Sequence, residues 1–372
     1  MNKNMPLKSD TSALTPTDDA KMGDLTAVYD RIAEILNDAR SAVVRSVNVE
    51  MVKAYWQIGR EIVEEEQRGA SRAGYGDRLI EELAIKLRAS FGTGFGATSL
   101  KQMRLFYKAY PNLISEIRHT VCDESEKPVV GRLDPNVSWS HYRLLSRIDP
   151  ESKRSFYEIE IVRNAWSFRE FERQVNSLLF ERLAMSKDKK GLMALATGGH
   201  QIQSPLDIIK EPVVLEFLNL PESHRLVEGD LEEALISELQ SFLLELGRGF
   251  AFLARQERLT LDGDHFYVDL VFYHVVLKCY VLVDLKTGKL THGDLGQIQL
   301  YVNYFDQERR TEGDGPTIGL VLCADKNDAV VRYTLGEGNQ QIFASRYKLY
   351  LPSEEELAAE IRRELQDLGA ND

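Results

Sequence analysis

Two acidic residues and a lysine in the second half of the chain have the types and spacing of a site that cleaves phosphodiester bonds with a metal. Asp269 lies within an apolar run, and a second apolar run ends at Asp284 and Lys286. Two carboxylates can hold a divalent cation that activates water, and a nearby lysine can orient that water or stabilise charge at phosphorus. The trio therefore predicts metal-dependent phosphodiester hydrolysis.

The expected geometry of this trio follows from strand periodicity. Side chains alternate between strand faces, so Asp284 and Lys286 project from one face while Leu285 projects into the core. If the two apolar runs are neighbouring strands, Asp269 meets this pair at one end of the sheet. Two carboxylates and the Leu285 carbonyl suit Mg²⁺ or Mn²⁺, with water completing the octahedron. An isolated Asp-Leu-Lys is more often a surface salt bridge, but within an apolar strand this pair is costly unless it is ligated.

Residues in the flanking helical segments can complete such a site. Gln297 and Tyr301 are four residues apart and share a helix face, from which they could reach the metal or a phosphate. Glu232 flanks the apolar stripe of the preceding helix and is the candidate third carboxylate, with Glu238 and Glu245 as alternatives. Histidines close in sequence are candidates for a general base, although loop histidines usually face solvent: His265, His274 and His292.

Length and composition indicate a cytoplasmic protein of two domains. The chain of 372 residues exceeds what one hydrophobic core usually fills. No run reaches the roughly 18 apolar residues of a membrane span, so no membrane association is expected. The N-terminal residues lack the apolar core of a secretory signal. The three cysteines have no paired spacing, and we interpret them as reduced thiols.

The net charge of −12 is distributed unevenly along the chain. Residues 22–185 contain 24 Lys and Arg against 24 Asp and Glu, whereas residues 186–372 contain 19 against 31. An acidic surface repels a polyanion at long range. Any DNA contact by the second half must therefore be local, or be supplied by the first half or by a protein partner.

Changes in hydrophobic periodicity divide the chain into five segments. We expect a disordered tail at 1–21, a helical domain at 22–185, a linker at 186–205, an α/β domain at 206–352 and a C-terminal helix at 353–372. Capping-box spacing places helix starts at Ser167 and Ser353.

The second domain is predicted to be an α/β sandwich with a mixed central sheet. A helix precedes three strands, and a second helix and two further strands follow. The expected elements are helix 231–246, strands 250–260, 265–275 and 278–286, helix 293–306, and strands 317–323 and 342–347.

A basic helix in the first domain is the candidate DNA-binding element. The glycine-rich turn 92–96 joins helix 77–91 to a second helix that begins at Thr98 or Ser99. That helix carries three basic residues, Lys101, Arg104 and Lys108. Helix, glycine-rich turn and basic helix are the outline of a helix-turn-helix. Basic residues are also common on a solvated helix face, and both interpretations stay open.

Longer stretches carry a resemblance to a known family. An acidic strand residue, then Asp-x-Lys in the next strand, then a glutamine in the following helix resembles the PD-(D/E)XK nuclease superfamily, which includes many restriction enzymes and Holliday-junction resolvases. More closely, the chain looks like YhcG-type bacterial proteins, which join a helical N-terminal domain to a C-terminal PD-(D/E)XK nuclease domain. The matching stretches are 56–59, 103–107, 139–141, 165–167, 242–252, 266–274, 296–297, 318–320 and 322–323.

The resemblance implies a restriction-endonuclease-like fold and a role for each candidate residue. Asp269 and Asp284 would be metal ligands, Lys286 the catalytic lysine, Gln297 an accessory residue and Glu232 the acid of the first helix. It also implies an N-terminal domain that binds DNA or protein partners. The chain departs from the family pattern in four places: Asp284 stands where glutamate is usual, no proline precedes Asp269, the segment 290–295 differs from the usual one, and the segment 204–221 matches loosely.

These observations leave functional hypotheses of different classes. The first is a Mg²⁺-dependent DNA nuclease, structure-specific or resolvase-like, in DNA processing or defence; a homodimer would supply one site for each strand. The alternative is a non-catalytic nucleic-acid or protein interaction module that retains the fold, as the acidic second half suggests. A third is an accessory of a defence system or mobile element that cuts only within a complex. The intact Asp-Leu-Lys favours the enzyme, because a nuclease fold that has lost its activity tends to lose the lysine or a carboxylate first.

Overall fold

The computed structural model of the chain describes residues 17–68, 75–113, 133–185, 189–220, 226–336, 338–353, 355–357 and 359. The described residues form two compact units. One contains the residues up to Lys108 together with Leu133–Trp139, and the other contains the remainder. The division between units therefore lies near Trp139, and the predicted linker at 186–205 falls inside the second unit.

Three helices build the first unit. They are α1 (Thr17–Arg68), α2 (Tyr75–Phe91) and α3 (Ala97–Ala109), and a short 3₁₀ turn at Thr93–Phe95 separates α2 from α3. Helix α1 begins inside the predicted tail 1–21, whose first 16 residues lie outside the described part of the chain. Ile62, Ile80, Leu100 and Met103 form the shared core of the three helices. The predicted order of helix, glycine-rich turn and helix is thus present.

Close packing of α1 on α3 depends on a glycine. A Cβ atom at Gly59 would overlap the carbonyl oxygen of Met103 and lie 3.1 Å from Cβ of Tyr107. A side chain at this position would therefore push the two helices apart.

We expect Gly59→Ala to lower the free energy of unfolding by about 1–3 kcal/mol, the usual cost of overpacking a core. Gly296→Ala is the matched control, because nothing lies within 4 Å of a Cβ at that helical glycine. The free energy of unfolding of this control should rise by about 0.5–1 kcal/mol, because alanine has a better helix propensity than glycine. Urea unfolding of both variants measures these changes. A Gly59→Ala protein with the same free energy of unfolding as wild type would contradict the packing described.

After α3, five more helices precede strand β1 in the described part of the chain. They are α4 (Trp139–Leu145), α5 (Glu151–Asn164), α6 (Phe168–Asn176), α7 (Leu179–Met185) and α8 (Lys189–Gly198). The predicted capping box at the start of α6 is confirmed, with Ser167 and Glu170 bonding reciprocally. Helix α8 lies within the predicted linker, and Arg163 on α5 donates to the carbonyl oxygen of Gly198 at 2.6 Å. The described part of this segment therefore contains a ten-residue helix whose end is hydrogen-bonded to α5.

A six-stranded mixed sheet forms the centre of the second unit. Its strand order is β1-β6-β5-β4-β3-β2, with antiparallel pairing among β2, β3 and β4 and parallel pairing from β4 across to β1. The strands are β1 (Val213–Val214), β2 (Phe250–Leu261), β3 (Asp264–His274), β4 (Cys279–Lys289), β5 (Ile318–Asp325) and β6 (Ile342–Lys348). The predicted mixed central sheet is confirmed.

Helices cover both faces of this sheet. Helices α9 (Glu228–Ser237) and α10 (Leu239–Leu246) share a core with Val283 and Leu285 of β4. Helix α11 (His292–Glu308) shares the opposite core with Leu282. Leu285 therefore points away from the α11 face, as strand alternation predicted. A further helix, α12 (Asp328–Leu335), follows β5.

The observed elements differ from the predicted ones in a few places. The helix predicted at 231–246 is broken at Glu238, whose backbone leaves the helical conformation. Strand β1 and helix α12 were not predicted; β1 has only two residues, too few for a period to show. The capping box at Ser353 and Glu356 is present, while residues 360–372 of the predicted C-terminal helix lie outside the described part.

A buried ionic cluster joins α6 and α7 to the sheet domain. The carboxylate of Glu245 on α10 accepts from Arg182 at 2.5 Å, from Arg173 at 3.1 Å and from the backbone N–H of Val214 at 2.9 Å. Burial alone would raise the pKa of this carboxyl, but Arg182, Lys210 and Arg173 together lower it to about 2. Glu245, an alternative for the third carboxylate of the site, is thus committed to this cluster.

Two further findings concern the cysteines and the hydropathy of the helices. Cys279 and Cys323 are free buried thiols, and Cys122 lies outside the described residues. Among the helices that the structure describes, none has the length and apolar character needed to cross a membrane.

Candidate active site

The candidate site lies where β3 and β4 stop pairing. The last residue pair of their antiparallel ladder on this side is Leu270 with Val283. Beyond this pair, the backbone N–H of Leu285 on β4 donates to Oδ2 of Asp269 on β3 at 2.8 Å. The carboxylate of Asp269 thus takes the place of a strand partner, which fixes it beside Asp284.

Asp284 and Lys286 form a close ion pair on β4. Nζ of Lys286 lies 2.8 Å from Oδ2 of Asp284, which is 1 % exposed, and 3.7 Å from Glu228. Burial raises the pKa of the Asp284 carboxyl to about 6, although Lys286 opposes the shift. Burial alone would lower the pKa of Lys286, but Asp284, Glu228 and Asp269 together raise it. The lysine is therefore held as a cation among carboxylates.

Glu232 on α9 is brought to this cluster by a residue that sequence analysis missed. Nε2 of Gln256 donates to Glu232 at 2.6 Å and to Oδ1 of Asp269 at 2.9 Å. Arg255 also contacts the Glu232 carboxylate at 3.2 Å. Of the three glutamates considered, Glu232 is the one linked to Asp269, while Glu238 is exposed.

Gln256 could not be recognised from the sequence pattern. It lies in β2, where its φ of 47° is in the left-handed region. That backbone conformation departs from regular strand geometry, so strand periodicity does not predict where its side chain points. Its function in the structure is to tie two acidic side chains together.

Under the nuclease hypothesis drawn from the sequence, Gln256→Leu should slow metal-dependent DNA cleavage by about tenfold to hundredfold, the usual effect of removing an outer hydrogen-bonding partner. The reason is that Glu232 and Asp269 lose their shared donor. Gln299→Leu is the matched control on α11, where Gln299 bonds Asn303 instead. Equal effects of the two substitutions on cleavage rate would contradict a positioning role for Gln256.

Gln297 and Tyr301 lie on the side of α11 that faces the carboxylates. Gln297 donates to the Tyr301 hydroxyl at 2.5 Å, and Tyr301 is 1 % exposed. Burial raises the pKa of Tyr301, and the charges of Asp284 and Asp269 add to this effect. The two residues therefore share a helix face, as predicted, and Tyr301 is close enough for the charges of both acids to raise its pKa.

The donor set suits a hard divalent cation. Within the described residues, no three Asp, Glu, His or Cys side chains form a cluster able to hold a metal alone. Mg²⁺ needs fewer protein ligands, because it usually keeps several waters beside one or two carboxylates. Asp269 and the buried Asp284 supply such a pair of oxygen donors, and the Leu285 carbonyl stays a predicted ligand. The residues present thus fit a Mg²⁺ or Mn²⁺ ion.

The three histidines considered as bases occupy other positions. His265 and His292 are exposed. His274 is buried, where Nε2 contacts the Arg248 carbonyl at 3.2 Å and Nδ1 accepts from the N–H of Leu277 at 3.1 Å. Burial lowers the pKa of His274. His274 therefore stabilises a turn.

The basic residues of α3 differ in how they are engaged. Nη1 of Arg104 lies 2.7 Å from Glu66 of α1, and Nζ of Lys108 lies 4.0 Å from the same carboxylate. Lys101 is exposed. Glu66 therefore offsets part of the positive charge that the sequence places on this helix.

Comparison with known proteins assigns the family. The model of the YhcG PDDEXK nuclease domain matches residues 206–366, and that of the DUF1016 N-terminal domain matches residues 31–182. A protein of Escherichia coli (strain K12) with the name "Putative nuclease YhcG" is 39% identical over 354 residues, which cover 90% of this chain and 93% of that protein. The chain belongs to the YhcG family.

This YhcG-family chain therefore carries a PDDEXK nuclease domain, and the resemblance drawn from its motifs is confirmed. The residues of the candidate site all lie inside the match at 206–366. The predicted linker 186–205 lies between the two matched segments.

Solved structures with similarity include endonucleases. A repair endonuclease from Pyrococcus abyssi is 16% identical with a TM-score of 0.24, and EndoMS in a complex with double-stranded DNA is 19% identical with the same TM-score. Each match covers 36% of this chain and 50% of the other. The chain thus spans about half the length of these solved relatives.

Proposed function

We propose that this YhcG-family protein is a DNA nuclease that hydrolyses phosphodiester bonds with Mg²⁺ or Mn²⁺. The observation that supports the proposal most directly is the convergence of three groups. Asp269 binds the N–H of Leu285, and Asp284 on the same strand as Leu285 pairs with Lys286 at 2.8 Å. Two carboxylates and one ammonium are thus held close together where β3 and β4 stop pairing. Carboxylates that can hold a metal beside a cationic group suit metal-assisted hydrolysis.

Each residue has a defined role in this proposal. Asp269, Asp284 and the Leu285 carbonyl would hold the ion. When bound, such an ion lowers the pKa of its water and offsets charge on the phosphate. Lys286 orients the attacking water or stabilises charge that develops on the phosphate oxygens. Glu232, through Gln256, holds Asp269 in place.

Groups on α11 and α3 would contact the DNA. In this proposal Gln297 and Tyr301, which hydrogen-bond each other near Asp284 and Asp269, would bind a phosphate oxygen of the cleaved strand. Lys101, Arg104 and Lys108 would add phosphate contacts from the first unit, which is where the chain is least acidic. We further propose a structure-specific or resolvase-like preference, a cytoplasmic location and a homodimer that supplies one site per strand.

A non-catalytic DNA- or protein-binding module is the second candidate. The excess of acidic residues in 186–372 favours it, because a negative surface weakens DNA association. A module of this kind would bind a partner or a DNA structure but leave the backbone intact.

Cleavage assays distinguish the two candidates. Purified protein is incubated with linear, nicked, single-stranded and branched DNA, with Mg²⁺, with Mn²⁺ and with EDTA. The enzyme is supported if cleavage requires metal and disappears in Asp284→Ala. Binding without cleavage on every substrate supports the module instead.

Metal binding has a readout that does not depend on activity. Mg²⁺ or Mn²⁺ at 100 times its Kd should stabilise the fold by about 2.7 kcal/mol. We expect Asp269→Asn to remove most of the resulting rise in melting temperature, because it removes one of two charged ligands. Asp262→Asn, in the exposed β2–β3 turn, is the control and should keep the full rise. An unchanged rise in Asp269→Asn would contradict the assigned ligand.

A further inference from the structure

A cavity lies apart from the carboxylate site. It has a volume of about 810 Å³ and opens between α5, α6 and the segment that follows α8 on one side and α10 with the following turn on the other. Its lining contains none of the residues assigned to the nuclease site. The volume falls within the range of about 300–1,000 Å³ that is typical of small-molecule sites.

The acidic groups in the cavity wall are already satisfied. Glu160 accepts from Arg163 at 3.1 Å, from Asn164 at 2.8 Å and from the N–H of His200 at 2.7 Å. Glu170 is held by the N–H of Ser167 at 2.6 Å. These carboxylates therefore have little remaining capacity to bind a cationic ligand.

Positively charged donors in the wall are less fully used. Lys210 is 6 % exposed, and its ammonium donates one hydrogen bond to the carbonyl oxygen of Glu245. An ammonium has three donors, so two remain. Arg248 is exposed on the turn after α10, and no contact of its guanidinium is found among the described residues. Surplus donors with positive charge favour an anionic ligand.

Lys210 is costly to bury as a cation. Burial lowers its pKa to about 8, Glu245 and Glu160 oppose this shift, and Arg182 and Arg173 add to it. A bound anion would therefore stabilise the charged lysine.

Gln174 of α6 adds an independent indication of a ligand. Its side chain lines the cavity, is 0 % exposed, and neither amide atom has a hydrogen-bond partner in the described structure. A buried amide without partners is destabilising, whereas an apolar residue of similar shape would not be. Such a residue is expected where an incoming molecule supplies the missing partners.

We propose that this cavity is a binding site for a small organic phosphate. Lys210 and Arg248 bind the phosphate, whose several acceptor oxygens match two cationic donors, and Gln174 hydrogen-bonds the organic part of the molecule. The site is separate from the proposed nuclease reaction and does not depend on it.

Calorimetric titration of the full-length protein tests this site. The probes are AMP, glucose 6-phosphate and 3-phosphoglycerate, with inorganic phosphate, adenosine and citrate as comparisons. All titrations contain EDTA, so that no divalent ion at Asp269 and Asp284 can capture phosphate. At least one organic phosphate should bind with a Kd below about 1 mM, and more tightly than inorganic phosphate, adenosine or citrate.

Two variants assign the binding to the cavity. Arg248→Ala should weaken binding of that phosphate by about tenfold or more, as loss of a charge-assisted hydrogen bond does. Gln174→Leu should also weaken it, while the melting temperature of the ligand-free protein stays the same or rises. Arg332→Ala, an exposed arginine on α12 outside the cavity, is the control and should bind normally.

Several results would overturn the proposal. They are absence of saturable binding by all three organic phosphates, tighter binding of citrate, or unchanged affinity in Arg248→Ala. A lower melting temperature of ligand-free Gln174→Leu with unchanged affinity would make Gln174 a structural residue only and would overturn its role.

Discussion

Replacing Lys286 by methionine is expected to lower the rate of metal-dependent DNA cleavage by about 10²–10³-fold, the cost of removing one donor to developing charge. Methionine keeps the unbranched stem of the side chain and removes the ammonium. Nζ of Lys286 lies 2.8 Å from Asp284 and is 3.7 Å from Glu228, so the charge is held at the site rather than in solvent. The loss should therefore appear in the chemical step.

The measurement is the single-turnover cleavage rate at saturating Mg²⁺. It is made at pH 8, above the pKa of about 6 of the Asp284 carboxyl, so that this ligand stays ionised. Lys289→Met is the matched control, because Lys289 is an exposed lysine at the end of the same strand. The assigned role is wrong if the cleavage rate of Lys286→Met falls less than tenfold, or if the rates of both variants fall by the same factor.

Glu245→Gln is expected to have the largest effect on stability, a loss of about 3–5 kcal/mol in the free energy of unfolding. The substitution leaves Arg182, which is fully buried, without its anion at 2.5 Å. It also removes the partner of Arg173 at 3.1 Å. Urea unfolding followed by circular dichroism measures the loss, and a change below about 1 kcal/mol would contradict the buried cluster.

The stability difference between wild type and Glu245→Gln should depend on pH. The pKa of Glu245 is about 2 in the folded protein against 4.5 when unperturbed. A lowered pKa means that the carboxylate stabilises the fold above pH 4.5 and that this contribution is lost as pH falls toward 2. The difference between the two proteins should therefore shrink across this interval.

An exposed ion pair supplies the control for this experiment. Glu257 pairs with Arg309 at 2.9 Å, and both side chains are partly exposed. Glu257→Gln should cost at most about 1 kcal/mol, as surface pairs do. The contrast separates an effect of burial from a general effect of removing a carboxylate.

Strand alternation and the order of elements were sufficient to predict the geometry of the carboxylates. Asp284 and Lys286 share a face and Leu285 lies in the opposite core because the side-chain period of a strand is two. The contact of Asp269 with Leu285 required the two strands to be neighbours, which a short connection makes the common outcome. The catalytic and metal-binding roles of these residues stay predictions.

Other features depend on contacts between distant segments, which no local pattern encodes. Gln256 reaches two acids only because its backbone adopts a positive φ. Arg104 has a partner because α3 packs against α1 at Glu66. Glu245 pairs with Arg173 and Arg182, which lie on helices more than 60 residues away in sequence. Periodicity alone could not rank Glu245 against Glu232.

The ionic cluster around Glu245 also constrains how such proteins can be divided or recombined. Arg173 and Arg182 belong to the segment that matches the DUF1016 N-terminal domain, whereas Glu245 belongs to the segment that matches the nuclease domain. A fragment that begins at residue 206 would lose both guanidinium groups and keep a carboxylate with no counter-charge from them. Chimaeras between relatives should therefore be more stable when the arginines and the glutamate are transferred together.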